Sequence, residues 1–272
     1  MILGGGPAGL SAAIWLKKLG VDAVLLERSG ALGGLQRRSP YENLWIPGVQ
    51  GRTGQDVANS MADHAAALGV EVRLNHEAPV MQEDELYRTG DFAASYVVIA
   101  TGTTPRAGRF HPSETVAIGP GEPMEALDVE GKRVAILGGG DNAFDQARFA
   151  RDRGGQVTVF SRGEPRAQKM LREMIPDVRV VVGAYEARQK GMTVNGEVFD
   201  AFGIMYGFEA VVPEGLKPRR KGGYIQVNRL GETSSRGVFA CGEVTDYWHP
   251  CVTTAAAHGI QVAKQIAVKL GR

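Results

Sequence analysis

Two stretches of this sequence have the spacing that can hold a diphosphate: Gly4-Gly5-Gly6-Pro7-Ala8-Gly9 and Gly138-Gly139-Gly140-Asp141-Asn142-Ala143. In a GxGxxG pattern the first glycine makes a tight turn and the second lets the backbone approach a pyrophosphate. The third position packs a helix onto a strand. Gly4, Gly6 and Gly9 take these roles in the first stretch, and Gly138, Gly140 and Ala143 take them in the second. The helix behind each loop offers free N–H groups and partial positive charge to an anion. Pro7 and Ala8, and in the second copy Asp141 and Asn142, fall in that contacting turn.

The residue that ends the following strand reads the adenosine ribose. Glu27, followed by Arg28, holds that place in the first copy and supplies a carboxylate for ribose hydroxyls. In the second copy the same place is Ser161, with Arg162 next and Arg166 close behind. A missing carboxylate beside two guanidinium groups suits a 2′-phosphate, which predicts NADPH at this loop; a solvated pair of loop arginines is the plainer alternative.

These residues need elements to hold them, and the sequence supplies the same set twice. An offset of 134 carries Gly4 onto Gly138, Gly20 onto Gly154, and Val24-Leu25-Leu26 onto Thr158-Val159-Phe160. Each copy reads as an apolar strand, a glycine-rich turn, a helix of roughly four turns, a glycine stop and a second strand. The first strand is short, and its counterpart Arg133-Val134-Ala135-Ile136-Leu137 is longer. Tyr96 to Pro105 (YVVIATGTTP) has a buried-strand pattern that breaks at Thr101-Gly102. Arg236 to Thr245 reads as another strand ending in Gly242-Glu243, and Val252 to Leu270 as a helix.

With 272 residues and 43% hydrophobic content, the chain has room for two domains with sizeable cores. A net charge of +1, from 31 basic and 30 acidic residues, argues against a nucleic-acid partner. No apolar run approaches the ~18 residues of a membrane span, and no basic, apolar signal segment opens the chain, so no membrane association and a cytoplasmic location are expected. The two cysteines, Cys241 and Cys251, form neither a disulfide framework nor a CxxC pair, in keeping with a reducing compartment. No metal site is expected.

The order of motifs resembles the low-molecular-weight thioredoxin reductases and their relatives, the thioredoxin-reductase-like ferredoxin or flavodoxin NADP reductases. The motifs are a GGGPAG loop with Glu27, the pair Gly33-Gly34, Ala100-Thr101-Gly102, a second GGG loop with downstream arginines, and GVFACGEV before a helix. The resemblance implies an α/β protein of two Rossmann-like, three-layer ββα dinucleotide-binding domains, one inserted in the other. It implies FAD in residues 1–112 and 226–272, NADPH in residues 113–225, and a homodimer. FAD would be held by Gly4, Gly6, Pro7, Ala8, Gly9, Glu27, Arg28, Gly34, Leu35, Ala100, Thr101, Gly102, Gly242, Glu243, Cys251, Val252 and Thr253. NADPH would be held by Gly138, Gly140, Asp141, Asn142, Ala143, Ser161, Arg162 and Arg166.

Two departures matter. Thioredoxin reductases of this type carry a redox CxxC just before the second loop, and residues 118–131 here contain no cysteine. A disulfide substrate needs an attacking thiolate and a resolving thiol, so reduction of thioredoxin by that route is not expected. Glu243 stands where the family has an aspartate against the ribityl chain. The expected activity is electron flow from NADPH through FAD to an electron-carrier protein, such as a ferredoxin or flavodoxin, or to a small acceptor. The alternatives are a disulfide reductase using Cys251 with Cys241, and a flavin-binding regulatory protein or one with another nucleotide in place of NAD(P)H. Cys251, at a helix N-terminus that lowers thiol pKa, and His249 are candidate catalytic groups. Lys217-Pro-Arg-Arg-Lys221 reads as a solvated turn that suits an acidic carrier.

Overall fold

The computed structural model describes all residues from Met1 to Arg272. They form two compact units, Met1–Thr104 with Glu209–Arg272, and Pro105–Phe208. The second unit is thus inserted in the first.

The discontinuous unit is built on a five-stranded parallel sheet in the order Val238–Ala240, Val97–Ile99, Ile2–Leu3, Val24–Leu26, Glu71–Arg73. Strands of only two or three residues suffice because the inner ones are apolar and largely buried on both faces, whereas Glu71–Arg73 lies at the partly exposed edge. On one face, Ile2, Leu25, Val98 and Phe239 pack against the helices Pro7–Lys18 and Val252–Lys269 through Leu10, Leu16, Val262 and Ile266. On the other, Leu3, Leu26, Val97 and Ile99 meet Val80 and Tyr87 of an antiparallel layer, Met81–Glu83, Leu86–Thr89 and Phe92–Ala94.

The inserted unit repeats this plan. Its parallel sheet runs Arg179–Val182, Gln156–Ser161, Arg133–Leu137, Ala201–Ile204, Val116–Ile118. The helix Asp141–Asp152 covers one face through Ala143, Phe144 and Ala147. The three short strands between Ala187 and Val198 cover the other through Ala187, Val194 and a group of phenylalanines. Both units are therefore three-layer ββα folds, as the resemblance implied. The loop-following helices have twelve residues each, about a turn shorter than the sequence suggested, and both stop at a left-handed glycine, Gly20 and Gly154.

The boundaries lie at 104/105 and 208/209, not at 112/113 and 225/226. Phe110 is drawn into the inserted unit, where its ring meets Phe202 edge-on at 5.9 Å. Leu216 and Ile225 are buried in the discontinuous unit beside Val80. There the Val80 N–H donates to Glu214 O at 2.8 Å, and the left-handed Gly215 passes so close to the Val80 carbonyl that a Cβ would lie 2.1 Å from it. No helix is long and apolar enough to cross a membrane.

Candidate dinucleotide sites

The two glycine loops are built by the same hydrogen bonds. Gly4 N–H donates to Leu26 O at 2.8 Å, and Gly138 N–H to Phe160 O at 2.9 Å. Ala100 N–H donates to Leu3 O and Met205 N–H to Leu137 O, each at 2.8 Å. Gly4 (φ +103°) and Gly138 (φ +153°) press on the carbonyls of Ala100 and Met205, where an added Cβ would stand 2.5 and 2.3 Å away. The third position packs helix on loop: a Cβ on Gly9 would lie 1.9 Å from Gly4 O, whereas Ala143 fits in its own core.

The middle glycines differ from these. Gly6 would bring a Cβ only to ordinary contact with Gly34, at 3.9 Å, and Gly140 into open space. Their lack of a side chain is not demanded by protein packing, so it leaves room for a ligand. Gly6 and Gly140 are also the helix N-caps, and neither helix has a side-chain cap bond there. A cradle that a Cβ would narrow, opening onto uncapped helix N–H groups, fits a diphosphate in each unit.

Glu27 is buried at the end of its strand, and both oxygens are engaged: Oε2 accepts from Gly5 N–H at 2.6 Å, and Oε1 from Ser29 N–H at 2.8 Å and Ser29 Oγ at 2.7 Å. A carboxylate offers about four lone-pair positions, so capacity remains for a ribose hydroxyl. Arg28 projects into solvent beside it. Ser161, its counterpart, is buried and turns inward, its hydroxyl donating to Gly163 O at 2.7 Å. Ser161 therefore shapes the turn that presents Arg162.

In the inserted unit a cleft of about 490 Å³ opens at this loop, lined by residues 138–143, Ser161, Arg162, Arg166, Tyr185 and Tyr206 among others. It gathers every residue expected at the NADPH loop. Asp141 accepts from Gln168 N–H at 2.8 Å, and the backbone N–H of Arg166 donates to Gly139 O at 2.7 Å, which ties the 163–168 turn to the glycine loop. The Arg162 guanidinium sits 5.2 Å over the Tyr206 ring, and the neighbouring hydroxyls of Tyr185 and Tyr206 hold its pKa above the ordinary range. The tyrosines escaped the sequence reading. Only the strand register puts Met205-Tyr206-Gly207 in the place that Ala100-Thr101-Gly102 holds in the first copy, since the constant offset of 134 does not reach them.

In the discontinuous unit, left-handed Gly34 lies against Gly6, with a Cβ distance of 3.1 Å, and Leu35 beside it is exposed. Thr101 Oγ1 donates to Val211 O, and Gly102 O accepts from Val211 N–H at 3.0 Å. Gly242 is left-handed and packs on Ala8, and Gly259 lets the two long helices touch, since a Cβ there would lie 2.1 Å from Ala8 O. Burial pushes the Glu243 carboxyl above its usual range, opposed by the Thr103 hydroxyl that donates to it at 3.2 Å and by His249. An acid of this kind can accept or donate to a hydroxyl.

Cys241 is buried, and desolvation pushes its thiol up to about 12. Cys251 caps the helix Val252–Lys269, its Sγ accepting from Thr254 N–H at 3.4 Å, with Val252 and Thr253 forming the first turn. His249 is exposed, and its carbonyl accepts from the Thr254 hydroxyl. Trp248 stacks on His258 (6.1 Å, 8°) and on Tyr247 (6.0 Å, 24°). No group of three or more His, Cys, Asp or Glu is arranged to hold a metal ion.

Two three-layer units, each ending in a diphosphate cradle, define a protein that works with two dinucleotides. The chain belongs to the pyridine nucleotide-disulphide oxidoreductase family, whose family model matches residues 1–259. It is 28% identical to a thioredoxin reductase of Coxiella burnetii, over 97% of this chain and 93% of the relative. It is 29% identical to a glucosaminate ammonia-lyase of Pseudomonas fluorescens, over 97% and 92%. The crystal structure of Lactococcus lactis thioredoxin reductase superposes with a TM-score of 0.84 at 25% identity, covering 98% of this chain and 97% of that one. The protein is a thioredoxin-reductase-like, FAD-dependent oxidoreductase, and FAD and NADPH are the cofactors of the family.

Proposed function

We propose that the protein passes electrons from NADPH through FAD to a carrier protein of the ferredoxin or flavodoxin kind, or to a small acceptor, without a dithiol, and that it does so as a homodimer. The observation that carries this is the cysteine inventory. There are two cysteines in the chain and none between residues 118 and 131, and the thiol of Cys241 is held neutral by burial. A dithiol relay through Cys241 lacks its second thiolate.

The discontinuous unit is the proposed FAD domain. Gly4, Gly6 and Gly9 give the diphosphate its approach, Glu27 takes the adenosine ribose, and Glu243 with Thr103 faces the ribityl hydroxyls. The inserted unit is the proposed NADPH domain, with Gly138, Gly140 and the N-terminus of the helix Asp141–Asp152 on the diphosphate and Arg162 and Arg166 on the 2′-phosphate. When bound, the flavin supplies the two-electron to one-electron chemistry, and the chain supplies binding, orientation and charge. Anaerobic mixing of the FAD-loaded protein with NADPH, followed at the flavin absorption band, tests the reading. Bleaching by NADPH, with transfer to a one-electron acceptor by a Cys241→Ser variant, is expected; an unbleached flavin sinks it.

A further inference from the structure

An arginine on a surface loop ordinarily samples many rotamers and presents its charge in no fixed direction. Arg162 is different. Its guanidinium lies 5.2 Å over the face of Tyr206, and the hydroxyls of Tyr185 and Tyr206 beside it raise its pKa. Its neighbours are hydroxyls and a ring with no carboxylate among them, so its charge is left for a ligand. All three side chains line the same cleft as the second glycine loop.

The two tyrosines are themselves fixed from below. Tyr206 packs on Phe110 at 6.1 Å, Phe110 on Phe202 at 5.9 Å, Phe202 on Phe199 at 6.4 Å, Phe199 on Phe160 at 5.6 Å, and Phe160 on Tyr185 at 5.7 Å. The four phenylalanines are buried in the core of the inserted unit. The arc of rings ends at the two tyrosines. Rings interlocked in this way have little rotamer freedom, so the two oxygens are held at fixed points above the sheet.

We infer that Tyr185 and Tyr206 are positioning residues that hold the Arg162 guanidinium at the cleft for a phosphate on the 2′ carbon of the nucleotide, and thereby set the preference for NADPH over NADH. The inference rests on the proposed assignment of this cleft to NADPH. A guanidinium has five N–H donors; two hydroxyl oxygens take part of the fork and leave the rest for phosphate oxygens. Pre-fixing the fork removes the ordering that a free arginine undergoes when it binds.

The test is calorimetric titration of the whole protein with 2′,5′-ADP and with 5′-AMP, for wild type, Tyr185→Phe, Tyr206→Phe, the double variant and Arg162→Lys. Tyrosine to phenylalanine keeps the ring and removes the oxygen. Each single variant is expected to weaken 2′,5′-ADP by roughly three- to tenfold, the worth of one hydrogen bond, with 5′-AMP affinity unchanged. KM for NADPH should rise in parallel while kcat stays constant. Arg162→Lys, which keeps the charge and loses the fork, should weaken 2′,5′-ADP at least as much. Equal weakening of both ligands would mean that the tyrosines only support the fold, and unchanged affinities in the double variant would also overturn the inference. If wild type prefers 2′,5′-ADP and Arg162→Lys loses that preference while the phenylalanine variants keep it, the clamp falls and the NADPH reading stands. A wild type with no preference removes both.

Discussion

The backbone N–H of Gly5 donates to the carboxylate of Glu27 at 2.6 Å, which binds the first glycine loop to the end of the neighbouring strand. The matching pair in the inserted unit is Gly139 and Ser161. There a Cβ on the glycine would stand 2.1 Å from the serine hydroxyl, and that hydroxyl donates to Gly163 instead. The same turn is thus braced by a charge in one copy and by a small neutral group in the other, so the two loops should respond differently to substitution.

Glu27→Ala should leave the buried Gly5 N–H without a partner and cost about 1–3 kcal/mol, besides removing a ribose ligand. We expect a lower Tm and loss of bound FAD, with Glu27→Gln intermediate in both. Retention of full FAD content by Glu27→Ala would refute the role given to this carboxylate.

Glycine to alanine changes should separate folding from binding. Gly4→Ala and Gly9→Ala drive a Cβ into the Ala100 and Gly4 carbonyls and should fail to fold or lose several °C in Tm, since even one strained left-handed residue costs about 1–3 kcal/mol. Gly6→Ala and Gly140→Ala meet no such obstacle and should fold normally. Gly6→Ala should be poor in FAD, and Gly140→Ala should bind NADPH weakly. Thermal melts beside flavin content and nucleotide titrations decide this; a Gly140→Ala protein with unaltered NADPH affinity is the failing outcome.

His258 should make stability depend on pH. It is 2% exposed, its Nδ1 accepts from Gly242 N–H at 3.3 Å, and desolvation lowers its pKa to about 4 from 6.5. A depressed pKa means that the unfolded chain binds the proton first, so stability is full above about pH 6.5 and falls as pH drops toward 4. The full shift corresponds to roughly 3 kcal/mol. Denaturant melts of wild type and His258→Gln across this range should show a smaller acid loss in the variant. Parallel curves would exclude His258 as the source.

The two cysteines should differ in reactivity. With its thiol at about 12 and fully buried, Cys241 should resist iodoacetamide at pH 8 until the protein unfolds, while half-buried Cys251 is alkylated in the native state. Peptide mass spectrometry reads both sites. Native-state labelling of Cys241 ahead of Cys251 would count against the structure of this strand end and would revive a thiol pathway.

The sheets and glycine loops were legible because backbone sterics leave few residue choices there. Gly4, Gly9 and Gly138 sit within 2.5 Å of a carbonyl at the Cβ position, and the pattern repeats at a constant offset. The antiparallel layers were not legible. Met81–Glu83 is exposed along its whole length and shows no alternation for a reader to detect. Tyr185 and Tyr206 belong to separate segments and meet Arg162 only through the fold, so spacing alone carried no sign of them. The boundary at residue 104 was missed for a related reason: the claim of Phe110 on the inserted core depends on Phe202, which is ninety-two positions away.

The interrupted unit also fixes the order in which the protein is completed during synthesis. Val97–Ile99 pairs with Ile2–Leu3 early, but its other neighbour, Val238–Ala240, and the helix whose Gly259 rests on Ala8 emerge only after the whole inserted unit. The inserted unit is contiguous and can close on the ribosome. Meanwhile the apolar face of Pro7–Lys18, with Leu10 and Leu16, waits uncovered for its last partner. A circular permutant opened between residues 208 and 209 would place the late segments ahead of the early ones and so shorten the time that this face stands bare to chaperones and to other nascent chains.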